Sequence, residues 1–439
     1  MSDIDEHPIH RATVAFITDA ESIRTWSSIG GFMLLALKSM VGTKYNAFLD
    51  QCEKVEGETT AFRIPVDKLL KHSKLESEYN RGQRASQIVP RSLIVALHSQ
   101  YDAFLSSLIR AFFKLKPTLV NSSQRSIEFG ELLAYNSIDE AKESVIDSEL
   151  EALLRESRQQ QFEWLEKRFS IDTLRTFAAW GSFIELAQRR NLFVHTDGRV
   201  SKQYLNICKS VGVQTRDLNP GDQVEADSSY VRMSVDIMFE VAVKLAQVLW
   251  RKTLPEQLEE ADQSLIIITY SLLERKRYSL AITLLDFAFD TVKKYSSPDA
   301  RLRLLVNRAN AYRLSGNNTR CIELIGSEEW SAYDPSFRMA AHILKGELAD
   351  AIKCMEQIGT AGKVSKADYR EWPLFEGLRE DEAFVGMFLK IFGEPLRVEE
   401  LVTSKEPHER TSISPEFSLD LISELDFNVS TVSLIKQSN

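Results

Sequence analysis

For 439 residues the chain carries little glycine and proline, 18 and 12, and only four cysteines. Scarce glycine and proline leave few residues for the tight turns of a sandwich or barrel, and helices are favoured instead. Cys52, Cys208, Cys321 and Cys354 include no Cys-x-x-Cys pair and have no histidine at zinc-ligand spacing, so they read as ordinary thiols of a reducing compartment. The most apolar stretches, 30–37 and 265–273, fall far short of the ~20 residues that cross a bilayer, and no membrane contact is expected. Residues 1–11 lack the basic and apolar regions of a signal peptide, which makes the expected location cytoplasmic. Positive charge is also lacking: with a net charge of −9 and a pI near 5.5, any contact with nucleic acid has to be local. There is no glycine-rich phosphate loop, His-Glu-x-x-His or Gly-x-Ser-x-Gly, so neither a cofactor nor a metal is expected.

What remains is 44% hydrophobic and 27% charged, enough to bury a sizeable core in two or three domains. Apolar spacing predicts a long helix over 13–55, with Trp26, Ile29, Met33, Leu37 and Met40 on one stripe and a kink or break at Gly30-Gly31. Further helices are predicted over 90–116, entered at Pro90, and over 138–169, 173–194, 200–211 and 230–251. Between the last two, 215–228 reads as an irregular loop. The charges between 142 and 168 fit a solvated helix face. The reading gives a polar tail over 1–12, a first helical domain over 13–255 and a boundary at Pro255.

Beyond Pro255 the pattern changes to shorter helices in pairs. Three weakly similar units align on a small residue near the start of each second helix: Ala281, Cys321 and Ala351. Five residues earlier stand Lys276, Gly316 and Gly346, and Ala309 and Tyr312 precede Cys321. This order resembles the tetratricopeptide repeat, in which close helix packing demands small side chains, although the spacing departs from the ~34 residues of that repeat. The resemblance implies a repeat domain over 259–395 able to hold a protein partner. Residues 396–439 form a tail in which 417–425 is a candidate short helix.

Near the end of the 173–194 helix the chain reads Arg189-Arg190-Asn191-Leu192-Phe193-Val194-His195, with Gly198, Val200, Tyr204 and Leu205 following. An arginine, a polar residue, three variable residues and a histidine resemble the signature of the HEPN family, and the setting at the end of an amphipathic helix sharpens the match. The resemblance implies an all-α fold, a HEPN-type helical bundle, and a homodimer in which both copies surround one RNA phosphodiester. It implies proton transfer by His195, phosphate stabilisation by Arg190 and orientation by Asn191, without a metal. Histidine titrates near neutral pH and arginine keeps a permanent charge, which suits these roles. On a regular helix Arg190 and His195 lie ~140° apart, so one copy makes a poor clamp. Arg189, Arg199 and Lys202 form a local basic patch for RNA. HEPN folds often set a polar side chain against the motif, which makes Asp102 and His98 supporting candidates; the plainer reading makes each a helix-surface residue. The motif also has a plain reading, in which Arg189 and Arg190 complement a helix dipole and His195 caps its end. The expectation is an endoribonuclease, of toxin–antitoxin or antiphage type, against the alternative of a non-catalytic interaction protein.

Overall fold

The computed structural model describes residues 3–55, 61–122, 128–215 and 217–397. Of the described residues 76% are helical. A 3-10 turn at Asp3–Glu6 leads into α1 (Pro8–Leu49), and a two-residue hairpin, β1 (Glu53–Lys54) with β2 (Phe62–Arg63), turns the chain back into α2 (Leu69–Leu115). Then follow α3 (Phe129–Leu132), α4 (Ile138–Arg155), α5 (Arg158–Phe169), α6 (Trp180–His195), α7 (Lys202–Ser210) and α8 (Ser228–Thr253). The remainder is α9 (Leu258–Glu274), α10 (Tyr278–Asp290), α11 (Pro298–Leu314), α12 (Asn318–Gly326), α13 (Pro335–Lys345), α14 (Leu348–Ile358), α15 (Lys366–Glu371) and α16 (Glu382–Phe392).

Several boundaries differ from the sequence reading. Of the expected tail over 1–12, the described residues 3–12 are part of the fold: α1 starts at Pro8, and Ile4, Ile9 and His10 are buried. The double glycine does not break α1. Gly31 lies where α1 approaches α8 so closely that a Cβ would stand 2.0 Å from Ser228 Oγ. Pro90 does not open a helix but sits buried inside α2, beside α1 and the start of α8. Their packing keeps α2 continuous although one backbone hydrogen bond is lost. The predicted helix over 138–169 splits at Ser157, whose side chain and Gln160 cap the start of α5 reciprocally. Residues 174–176 form a 3-10 turn, and α6 begins only at Trp180.

The first core lies between α1, α2, α4, α5, α6 and α8, where Phe16, Tyr101, Phe112, Phe162, Phe183 and Trp250 meet. On α2, Ile94, Leu97, Tyr101, Leu105, Leu108 and Phe112 recur every three or four residues and are buried throughout, so one face of the helix is committed to this core. Each such side chain contributes roughly 1.5–3 kcal/mol by leaving water. The predicted stripe on α1 behaves differently: Trp26, Ile29, Met33 and Leu37 are exposed, because the opposite face of α1 meets α2 and α8.

After Pro255 come three helix pairs, α9 with α10, α11 with α12 and α13 with α14. Ala281, Cys321 and Ala351 are each buried in the first turn of the second helix. The turns within the pairs pass through Lys276, Gly316 and Gly346, all with positive φ. Phe239 and Val243 of α8 pack with α9, α10 and α11, so the first pair rests on the helical bundle. The candidate helix at 417–425 lies outside the described residues. No helix among the described residues is long and apolar enough to cross a membrane.

Candidate functional site

α6 carries the motif. Its Phe183, Ile184, Leu186 and Ala187 are buried, which fixes its rotation against α2 and α8. The helix stays regular to His195, and Thr196 and Gly198 N–H both donate to the Leu192 carbonyl, at 2.9 Å each. Asp197 and Gly198 then take left-handed backbone conformations, with φ of 52° and 81°. A Cβ on Gly198 would meet the Val224 carbonyl at 2.7 Å, so glycine is required there. Asp197 is clamped by Arg91 at 2.8 Å and Arg84 at 3.2 Å, and Arg91 also stacks over Phe193. The loop read as irregular is tied to this turn: Val200 N–H donates to Asp222, Val224 N–H donates to Gly198, and Arg199 pairs with Gln223.

Arg190 is half-buried on the side of α6 that faces α2 and α5. Its Nη1 donates to Asn191 Oδ1 at 3.0 Å, and its Nε is buried with no partner among the described residues. Burial, followed by repulsion from Arg158, lowers its pKa, while Asp102 opposes the shift. Arg158, itself buried, donates to the Asp102 carboxylate, to Gln161 Oε1 at 2.7 Å and toward His98 Nδ1 at 3.4 Å. The Asp102 carboxylate thus pairs with Arg158 and reaches Arg190 only through its charge. His98 and Asp102 both turn inward, against the plainer expectation of helix-surface residues. Burial, then the charges of Arg158 and Arg190, hold the His98 pKa well below its ordinary value. His98 Nε2 faces the Leu186 carbonyl without a hydrogen bond of good geometry. His98 is therefore buried between helices, where the charged imidazole is disfavoured.

His195 ends α6 in solvent, without a side-chain partner among the described residues. The regular helix leaves it ~140° around from Arg190, so a single copy does not bring the two together. Arg199 is exposed and reaches only the Gly221 carbonyl at 3.5 Å, and Lys202 is exposed without a partner among the described residues.

Arg189 sits differently from these two. Its Nε donates to Glu185 at 2.7 Å, its Nη1 donates to the Glu225 carbonyl at 3.4 Å, and its guanidinium lies 4.4 Å from the Tyr230 ring centre. Buried Glu185 also accepts from Tyr204 Oη at 2.6 Å and Tyr230 Oη at 3.1 Å. Burial and the Glu185 carboxylate raise both phenol pKa values. This network, which sequence reasoning missed, ties α6 to α7 and α8 and leaves Arg189 little freedom to meet a ligand. Arg158 was missed too; an arginine at the start of a polar helix carries no signal of burial. Among the described residues no group of three or more His, Cys, Asp or Glu is placed to hold a metal ion. Compared with protein-family models, curated proteins and solved structures, the chain matches none.

Proposed function

We propose that the chain is a metal-independent endoribonuclease of HEPN type, working as a homodimer in which Arg190 and His195 of both copies surround one RNA phosphodiester. The observation that carries this reading is the charge around Arg190. Arg158 holds the Asp102 carboxylate, its charge repels the nearby Arg190 guanidinium, and Arg190 keeps a buried N–H without an acceptor. A phosphate oxygen supplies both the missing acceptor and the missing negative charge. In the reaction the ribose 2′-OH attacks phosphorus while His195 of one copy takes its proton. The P–O5′ bond breaks as His195 of the other copy protonates the leaving oxygen, giving a 2′,3′-cyclic phosphate and a 5′-OH. Arg190 stabilises the charge that builds on the phosphoryl oxygens, and Asn191 steadies the guanidinium. DNA lacks the nucleophile and is left intact. Arg199 and Lys202 hold the flanking backbone. In this reading the protein is a cytoplasmic toxin or antiphage effector, and the tetratricopeptide-like helix pairs recruit or sense a partner.

A non-catalytic scaffold is the second reading, and one observation favours it. A cavity of about 210 Å³, lined by α9, α11 and α13, exposes the amide of otherwise buried Asn307, which makes no side-chain hydrogen bond among the described residues, beside exposed Arg303. Such a groove suits an extended peptide.

The deciding experiment incubates the purified full chain with total RNA and EDTA, beside His195→Ala. Cleavage by the parent alone, with cyclic-phosphate ends, is the expected result. RNA left intact by the parent points to the scaffold.

A further inference from the structure

Along its middle α1 is packed on one side only. One side of this stretch faces α2 and α8, with Ser27 and Val41 buried and Gly31 against Ser228. On another, Trp26 is 62% exposed and Met33 60%, with Ile29 and Leu37 exposed beside them, while exposed Phe32 and Leu35 lie farther round the helix. The four side chains of this stripe leave on the order of 400 Å² of apolar surface in water, a patch of the size that marks a contact and about half of the ~800 Å² that each partner buries in a standard interface.

We propose that this face of α1 is covered by α1 of a second copy, packed antiparallel about a two-fold axis. The charges at the ends of the stripe select this occupant. At 100° per residue Asp19, Trp26, Ile29, Met33, Leu37 and Lys44 fall within ~80° of one another, with the two charges ~37 Å apart along the axis. Asp19 and Lys44 are both exposed, and neither has a partner among the described residues. An antiparallel pair centred between Gly31 and Phe32 sets Asp19 of each copy opposite Lys44 of the other and Trp26 opposite Leu37. The same register sets Met33 opposite Gly30. A Cβ on Gly30 would have no atom within 4 Å, so nothing within the chain accounts for a glycine in mid-helix there, whereas close approach by a second helix does. A membrane-facing stripe would be rimmed by basic residues; here one end is acidic. A two-fold contact of this kind closes on itself and yields a dimer. The pairing does not rest on the ribonuclease reading, and its readout is mass, not activity.

The test measures the mass of the full chain by light scattering and sedimentation over a concentration series. The parent is expected at twice the chain mass. Met33→Glu is expected at one chain mass with unchanged circular dichroism, as befits an exposed position. Asp19→Lys and Lys44→Asp are each expected to weaken dimerisation by about tenfold, and the double variant to recover it. Three results overturn the proposal: a parent that is monomeric throughout, a Met33→Glu variant that stays folded and dimeric, and a double charge swap weaker than both singles. Co-sedimentation of a monomeric parent with anionic vesicles, lost in Met33→Glu, would assign the face to lipid instead.

Discussion

Arg158 and Asp102 form an ion pair between α5 and α2, the arginine almost wholly buried and the aspartate partly so. Arg190 feels the charge of both, the nearby Arg158 cation more strongly than the carboxylate. Asp102→Asn therefore leaves two cations facing each other where water is scarce, and is expected to cost about 3 kcal/mol, because a broken buried pair strands a charge. The urea midpoint measures this. A loss below about 1 kcal/mol would show that solvent already screens the pair.

Acid should weaken the fold through His98. Its folded pKa lies well below the ordinary 6.5, owing to burial and then to Arg158 and Arg190. On lowering the pH the unfolded chain takes the proton first, so stability is held above about 6.5 and falls below it, by up to ~1.4 kcal/mol per pH unit. Half-buried His7 and buried His10 shift in the same direction. Comparing urea unfolding at about pH 7.5 and 5.5, His98→Gln should lose roughly 1 kcal/mol less than the parent. Equal losses would mean that the folded state carries a charged imidazole.

The motif residues should separate stability from activity. His195→Ala is expected to change stability by no more than about 0.5 kcal/mol, since the side chain is exposed and unpaired, while RNA cleavage is lost. Arg189→Ala should do the opposite: it strands Glu185 and costs about 2–4 kcal/mol. A His195→Ala protein that unfolds would favour the capping role for that residue.

Neutralising Arg199 and Lys202 together should weaken RNA binding and flatten its salt dependence, by about one power of salt for each phosphate no longer neutralised, with cleavage at saturating RNA retained. An unchanged slope would send the RNA elsewhere, most simply over the helix pairs.

Lys276 holds the left-handed turn that Gly316 and Gly346 hold in the next two pairs, with φ of 57°. A side chain there costs roughly 1 kcal/mol, so Lys276→Gly should raise stability by about 0.5–1 kcal/mol, less a little for the exposed pair with Glu376. Thermal unfolding reads the sign, and destabilisation would show that the ion pair or the entropy of the unfolded glycine outweighs the strain.

The helical class was legible because it rests on periodicity, and the helix pairs because close packing leaves small residues at fixed places, as at Ala281, Cys321 and Ala351. The ends of α2 and α6 were not. Pro90 inside a helix and residues 174–176 outside one depend on packing against neighbours that are remote in sequence. The site was half legible. Arg190, Asn191 and His195 stand out as a spacing, but the burial of Arg158 and the three-way use of Glu185 arise only when α5, α7 and α8 arrive. Exposure of the α1 stripe was likewise hidden, since an apolar stripe looks the same whether a neighbour in the chain or a second molecule covers it.

α8 faces two ways. Met238, Val241, Ala242 and Leu245 belong to the bundle core, while Phe239 and Val243, interleaved with them, belong to the cluster formed with α9, α10 and α11. A chain cut at Pro255 would bare the second set to water, and the released helix pairs would lose the floor on which the first of them stands. Heat or denaturant should accordingly melt bundle and repeats in a single cooperative transition, with one calorimetric peak.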